Sequence, residues 1–262
     1  MTQHDPSSQS SNAQVYVRSG LFFLSMALSI LIIAPIMISV VLAPFSIRYR
    51  LANQWVTYNL WSLKKICHLS YEVEGKGNIP GQAGIIFCKH QSAWETIALQ
   101  QIFPPVVFIL KRELLLLPFF GWALATCDPI AIDRQSKKAA LRQIIKKGTE
   151  RLKSGRWVVI FPEGTRVAPG QHKKYGIGGA LLAEKSGYPI VPVAHNAGEF
   201  WGRRSFLKYP GVIQVRIGPA IETQNRRAEE INIEAEEWIE GQMAVIGGVP
   251  SERATSESAG AA

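Results

Sequence analysis

Cysteine is scarce and dispersed in this chain: Cys67, Cys88 and Cys127 are the 3 cysteines in 262 residues. They form no CxxC, and an odd number cannot all pair within one chain. A disulfide scaffold is therefore excluded, and a reducing compartment with buried, apolar thiols is expected. The histidines and acids lack ligand spacing, so no metal site is expected. Charge is also sparse, at 19% of residues, and acids are the minority: 20 Asp and Glu against 29 Lys and Arg, a net charge of +9. Such a balance points to an anionic partner. Nucleic acid is set aside because no zinc-finger spacing or RNA-binding signature is present. An anionic bilayer surface and a phosphorylated substrate remain.

Between Leu21 and Ala43 there is no charge at all. A helix over that run reaches about 34 Å, enough to cross the hydrocarbon core. The run is long for a signal-peptide core, and no clear Ala-x-Ala site follows it, which favours a retained anchor. Pro35 sits mid-run and should kink the helix, so re-entry into one leaflet stays open beside crossing. Residues 1–20, rich in Ser, Gln and Asn, are expected to be disordered. After the run, Leu51, Trp55, Tyr58, Trp61, Ile66 and Leu69 recur at roughly helical spacing beside Lys64 and Lys65. That is the composition of an interfacial helix; a core helix packed on the next domain fits equally. Residues 21–69 are thus read as membrane anchor and interfacial helix, a single helix or a helical hairpin. Arg18 alone precedes the run, whereas Arg48, Arg50, Lys64 and Lys65 follow it. The positive-inside rule puts the downstream domain on the cytoplasmic side of the inner (cytoplasmic) membrane.

From about residue 70 to 246 short apolar runs alternate with helical patterns. Expected strands are Gly84–Cys88, Val106–Leu110, Trp157–Phe161, Ile190–Ala194 and Val212–Ile217. Expected helices are Ser92–Gln101, Lys137–Lys153, Gly179–Lys185 and Glu229–Val245. The alternation argues for an α/β fold, a layered sheet flanked by helices. Residues 247–262 read as a disordered tail. No internal repeat is visible.

Four segments carry chemistry. In Lys89-His90-Gln91-Ser92-Ala93-Trp94-Glu95, directly after an apolar strand, His90 has the chemistry of a general base and Glu95 that of the carboxylate that holds it. Ser92-x-x-Glu95 is also a capping box, which starts a helix without any catalysis. Lys111 and Arg112 follow the next strand and can meet a phosphate. Leu114 to Leu117 and the aromatics around Pro118 and Gly121 can meet an acyl chain or the bilayer, or fold over the core. In Phe161-Pro162-Glu163-Gly164-Thr165-Arg166 a tight turn projects Glu163, Thr165 and Arg166. Arg166 offers a two-pronged phosphate contact; Glu163 either orients it or accepts from a substrate hydroxyl. Ile190 to Asn196 is a strand interrupted by Pro192, which suits an edge or a bulge; His195 in it reads as structural. Lys173 and Lys174 read as solvated charge or as substrate-facing cations.

Together the four segments resemble the 1-acylglycerol-3-phosphate acyltransferase family, over roughly Tyr71 to Ile217. His90 and Glu95 match the family's His-x4-acid block, with Glu in place of the usual Asp and Lys89 where Asn is common. Lys111, Glu113, Leu114, Pro118 and Gly121 match the second block. Phe161 to Arg166 match the third throughout, and Val191-Pro192-Val193 the fourth.

The resemblance implies a fatty acyl thioester donor, on coenzyme A or acyl carrier protein, with no cofactor. The acceptor it implies is 1-acylglycerol 3-phosphate and the product phosphatidate, an intermediate of phospholipid synthesis. His90 and Glu95 would be catalytic, and Lys111, Arg112, Glu163, Gly164, Thr165 and Arg166 substrate-binding. The implied partners are the membrane lipid acceptor, an anionic bilayer surface and, where it carries the donor, acyl carrier protein. Three alternatives stay open: another acceptor such as glycerol 3-phosphate, another lysophospholipid or an acylated amino acid; a membrane-anchored thioester hydrolase; and a non-catalytic lipid-binding protein.

Overall fold

The computed structural model describes residues 6–133 and 136–247. Two helices come first, α1 (Pro6–Ser39) and α2 (Phe45–Cys67). There follow β1 (Leu69–Glu74), β2 (Ile85–Cys88), α3 (Trp94–Ile102), β3 (Val106–Lys111), α4 (Phe120–Ala125), β4 (Ile130–Ile132) and α5 (Lys137–Lys153). The rest is β5 (Trp157–Ile160), α6 (Gly178–Ser186), β6 (Ile190–His195), α7 (Ala197–Phe200), β7 (Gly211–Ile217) and α8 (Ala228–Ile246).

The strands form one seven-stranded sheet in the order β1-β7-β6-β2-β5-β3-β4. Neighbours pair in parallel except β6 with β7. β2, β5 and β6 are buried along their whole length, as expected of parallel strands covered on both faces. Two cores result. One joins α1, α2 and α3 to the sheet through residues such as Phe22, Val56, Leu63, Ile86 and Trp94. The other joins α5, α6 and α8 through Phe87, Leu152, Leu182 and Ile231.

The expected α/β class is the observed one. Two strands escaped the pattern. Leu69 belongs by spacing to the preceding helix, yet His68 takes a left-handed conformation (φ 53°) that stops α2. Leu69 then opens β1, which gains its backbone partners from β7, far away in sequence. β4 has 3 residues and no legible period.

The expectation of disorder over residues 1–20 is corrected for residues 6–20, which are the start of α1. Tertiary contacts hold that start. Ser19 Oγ accepts from Lys208 N–H at 2.9 Å, Cys67 Sγ donates to Arg18 O, and Phe22 packs edge-on against Trp201. Full burial of a side chain such as Phe22 contributes about 1.5–3 kcal/mol. Residues 1–5, and all but Gly247 of the expected tail at 247–262, lie outside the described residues.

α1 and α2 form an antiparallel hairpin. Tyr58 meets Ser25, Trp55 Nε1 donates to Ser29 Oγ, and Cys67 meets Arg18. Pro35 lies inside α1, which continues to Ser39. α2 packs on the fold through one face, where Tyr49, Val56, Leu60 and Leu63 are buried, while Tyr58 and Trp61 are exposed on the other. On α1, Asn12–Ser39 is long and apolar enough to cross a membrane. Its outer face shows Leu24, Leu28, Leu31 and Ile32.

Gly179 is the point where α6 comes closest to the sheet. A Cβ there would lie 2.5 Å from two ring carbons of Phe87 and 3.0 Å from Ile160 Cδ1. Gly179→Ala should destabilise the fold by about 1–3 kcal/mol through overpacking. That lowers the melting temperature by roughly 2–4 °C per kcal/mol in a chain of this size. An unchanged midpoint in a thermal melt would mean that Phe87 has room to turn away.

Candidate active site

β2 ends at Cys88, and residues 89–92 continue along the C-terminal edge of the parallel strands. That edge is where α/β sheets place ligands. The backbone of Lys89 is held from β6: its N–H donates to Val193 O at 3.0 Å, and its carbonyl accepts from His195 Nε2 at 2.8 Å. His195 Nδ1 accepts from Ala197 N–H. Both ring nitrogens are thus used by a neutral imidazole, and burial pushes the His195 pKa down. Gln91 Oε1 accepts from Gly198 N–H at 3.2 Å. β6 and the start of α7 therefore clamp the segment on both sides of His90.

Glu95 sits in the first turn of α3 and is fully buried. Its Oε1 lies 2.8 Å from His90 Nδ1 and accepts from the N–H groups of Gln91 (3.1 Å) and Ser92 (2.9 Å). Burial works against the Glu95 charge, but the hydrogen bonds from His90 and from the Ser92 N–H favour it, and the carboxyl is held below its usual value. An ionised carboxylate can only accept, so His90 Nδ1 is the donor in the pair. His90 Nε2 is left with the free lone pair of a base. The His90 ring is stacked on Phe161, centroids 3.9 Å apart and planes at 14°, and its side chain keeps 15% exposure. The capping-box reading also holds in part, because Glu95 reaches back to Ser92 N–H while Ser92 Oγ accepts from Trp94 N–H. One carboxylate thus starts α3 and orients the imidazole.

The third segment leaves β5 next to β2. Gly164, at φ +68°, makes the tight turn that a side chain would strain, and its N–H donates to Phe161 O. Val167 N–H donates to His90 O at 2.8 Å, which lays the segment against the His90 loop. Thr165 and Arg166 are half-buried on it. Arg166 Nε is buried and has no hydrogen-bond partner among the described residues. A buried guanidinium N–H without an acceptor is costly, and an anionic group of a ligand would satisfy it.

Glu163 behaves differently from expectation. The sequence leads one to expect that it orients Arg166 or meets a substrate hydroxyl. Instead it turns inward, 2% exposed. Its Oε2 accepts from His90 N–H at 2.9 Å and its Oε1 lies 3.0 Å from Lys89 Nζ. Burial pushes its pKa up to about 7 although Lys89 and the His90 N–H pull it down. Lys111 and Arg112 also stand apart. Lys111 is the last residue of β3 and Arg112 follows it, and β3 is separated from β2 by β5. Lys111 pairs with Glu113 at 3.6 Å and Arg112 with Asp133 at 3.3 Å, all partly in solvent. Neither makes a hydrogen bond or ion pair with His90, Glu95 or Arg166 among the described residues. Lys89, outside the expected site residues, is buried beside His90 and paired with Glu163 and Glu240. Its sequence signal is a cation directly after the wholly apolar Ile85–Cys88 run, where burial demands an ionic partner.

The chain is similar to several known proteins. A family model described as acyltransferase matches residues 70–196. A 1-acyl-sn-glycerol-3-phosphate acyltransferase of Pseudomonas aeruginosa is 46% identical over 241 residues, covering 88% of this chain and 91% of that protein. One from Saccharomyces cerevisiae is 29% identical, over 72% of this chain and 64% of that protein. A crystal structure of a 1-acyl-sn-glycerophosphate (LPA) acyltransferase from Thermotoga maritima superposes with a TM-score of 0.63 at 23% identity, covering 87% and 97% of the two chains. That likeness shows the fold.

The Glu163 environment has a consequence for stability. Its pKa is about 4.5 as a free group and about 7 in the folded protein. The folded state binds this proton more tightly, so the group's contribution falls as pH rises between those values. Glu163→Gln should be close to wild type in urea unfolding near the lower pH and gain on it towards neutrality. A wild-type-to-variant difference that is constant across the window would contradict this environment.

Proposed function

The chain belongs to the 1-acyl-sn-glycerol-3-phosphate acyltransferase family, and from that premise we propose that His90 is the base of the reaction and Glu95 the carboxylate that holds it. The protein acylates the sn-2 hydroxyl of 1-acylglycerol 3-phosphate to give phosphatidate. The single observation that carries the assignment is the Glu95–His90 Nδ1 contact at 2.8 Å, which commits the other ring nitrogen to accepting a proton.

The acceptor hydroxyl gives its proton to His90 Nε2 as its oxygen attacks the carbonyl of a fatty acyl thioester. The ester C–O bond forms and the C–S bond breaks. The departing thiolate takes the proton back from the imidazolium, whose charge Glu95 stabilises meanwhile. No acyl-enzyme is needed. Base catalysis of this kind contributes about 10²- to 10⁴-fold. Arg166 binds the acceptor phosphate, which its unpartnered Nε supports, and so places the hydroxyl beside His90. Gly164 and Thr165 shape that side of the site. The donor thioester is on coenzyme A or acyl carrier protein, and Lys111 and Arg112 guide phosphates at the rim. No cofactor takes part.

The protein is membrane-associated, and its apolar helix and lipid substrate agree in this. We assign it to the cytoplasmic membrane with the catalytic domain on the cytoplasmic side, from Arg48, Arg50, Lys64 and Lys65 after the apolar run. The net charge of +9 suits an anionic leaflet. α1 packs on the rest of the fold through Phe22 against Trp201 and also meets α4, which favours embedding in the near leaflet over a free crossing.

The test is thiol release from acyl-CoA by the purified protein in lipid, with lysophosphatidate, with glycerol 3-phosphate and with no acceptor. Release that depends on lysophosphatidate and yields phosphatidate is expected; acceptor-independent release would instead mark a hydrolase. His90→Ala should lower kcat by about 10²- to 10⁴-fold in a protein that melts normally, and an active variant would remove the base assignment. Arg166→Lys should raise the acceptor KM about tenfold, the worth of one charged hydrogen bond. An unchanged acceptor KM would place the phosphate elsewhere.

A further inference from the structure

Lys89 is a cation with 1% of its side chain exposed, one residue before the base. Neighbouring side chains on an extended chain face opposite ways, so Lys89 runs into the protein. Its ammonium meets Glu240 at 2.8 and 3.0 Å, Glu163 at 3.0 Å and Gln171 O at 3.5 Å. Glu240 Oε1 also accepts from the Tyr175 hydroxyl at 2.8 Å. Glu163 passes the contact on, since its second oxygen accepts from His90 N–H. A chain of charged contacts thus runs from α8 through Lys89 and Glu163 to the backbone of the base. Glu240 stands outside the matched residues 70–196 and outside all four sequence blocks.

We propose that Glu240 is a positioning residue for acyl transfer. By taking up the Lys89 charge from α8, it sets the Glu163 carboxylate against the backbone of His90. The inference rests on the reading of His90 as the base. A buried ammonium must have its N–H groups answered. With Glu240 present, Lys89 is met by both its oxygens, and Glu163 divides cleanly, one oxygen to Lys89 and one to His90 N–H. Without that charge Lys89 turns wholly onto Glu163 and competes for the oxygen that holds His90. A base displaced by a fraction of an ångström is aimed poorly at the acceptor hydroxyl, and rate is steep in that geometry. Tyr175 supports the arrangement by fixing the Glu240 oxygen that faces Lys89. The phosphate-binding side, at Arg166, is untouched.

The experiment is a double-mutant cycle on the full chain in lipid, with Glu240→Gln, Lys89→Met and the two combined. Readouts are kcat, acceptor KM and melting temperature. Glu240→Gln should lower kcat about tenfold, consistent with a sub-ångström misplacement, with acceptor KM within about twofold. Lys89→Met, which takes the ammonium away from the buried Glu163 and the part-exposed Glu240, should lower kcat further. The combined variant should be no slower than Lys89→Met alone, because the residues act as one unit. Wild-type kcat in Glu240→Gln, or losses that multiply in the combined variant, would overturn the proposal. Should Glu240→Gln fail to fold, Glu240→Asp keeps the charge on a shorter arm. A folded Asp variant slowed severalfold supports the proposal, and one with wild-type kcat sinks it. A His90→Ala control keeps the two readings apart: if it is active, the base assignment fails, whereas if it is inactive and Glu240→Gln is unimpaired, only the role of Glu240 fails.

Discussion

A carboxylate with no access to water has to find every hydrogen bond inside the protein, and Glu95 does so at the first turn of α3. Its oxygens gather the N–H groups of Gln91 and Ser92 and the Nδ1 proton of His90. Three structural facts meet in that one group. The loop after β2 must curl so that two successive amides point at it. α3 must begin beside it. The imidazole must present Nδ1 to it, which leaves Nε2 as the basic atom. Loss of the charge would leave buried N–H groups unanswered, at roughly 1–3 kcal/mol for each donor stranded. The same contact thus shapes the loop, starts the helix and sets the chemistry.

The loop needs support on its other side as well, and that support is also ionic. Lys89 lies between Glu163 and Glu240, so His90 stands between two buried charged clusters. One orients its ring and the other holds its backbone. His195 joins them, donating to Lys89 O and lying 3.9 Å from Glu95. Buried charges of this kind add little net stability against well-packed apolar groups. Their value here is geometric, because a base on a loop keeps its aim only when the loop has one conformation.

The helical hairpin lies in the same layer as the start of the site. α1 and α2 pack on the sheet face that also carries α3, so the apolar outer face of α1 and the start of α3 belong to one rigid layer. Lys208 strengthens the joint: its ammonium lies 4.8 Å from the Trp201 ring and 5.7 Å from that of Phe22. The contact ties α1 to the segment after α7.

Much of this could be read without a structure. Short apolar runs located β2, β3, β5, β6 and β7, and helical patterns located α3, α5, α6 and α8, to within a residue or two, because most of those strands are buried on both faces and the helices on one. The His90–Glu95 spacing suits both a capping box and a base held by an acid, and a single carboxylate makes the contacts of both. Tertiary structure decided what depends on distant partners. β1 exists because β7 supplies its hydrogen bonds, and residues 6–20 are helical in a fold where Lys208, Cys67 and Trp201 hold residues 18–22. Glu163 faces inward because Lys89, far from it in sequence, needs a counter-charge. Glu240 enters only when α8 folds over the same ammonium. Sequence by itself determined the class of fold and the pairing of His90 with Glu95, since both are local patterns. Which charges meet in the interior was left to the packing, since a buried ion takes whichever partner the fold brings within reach.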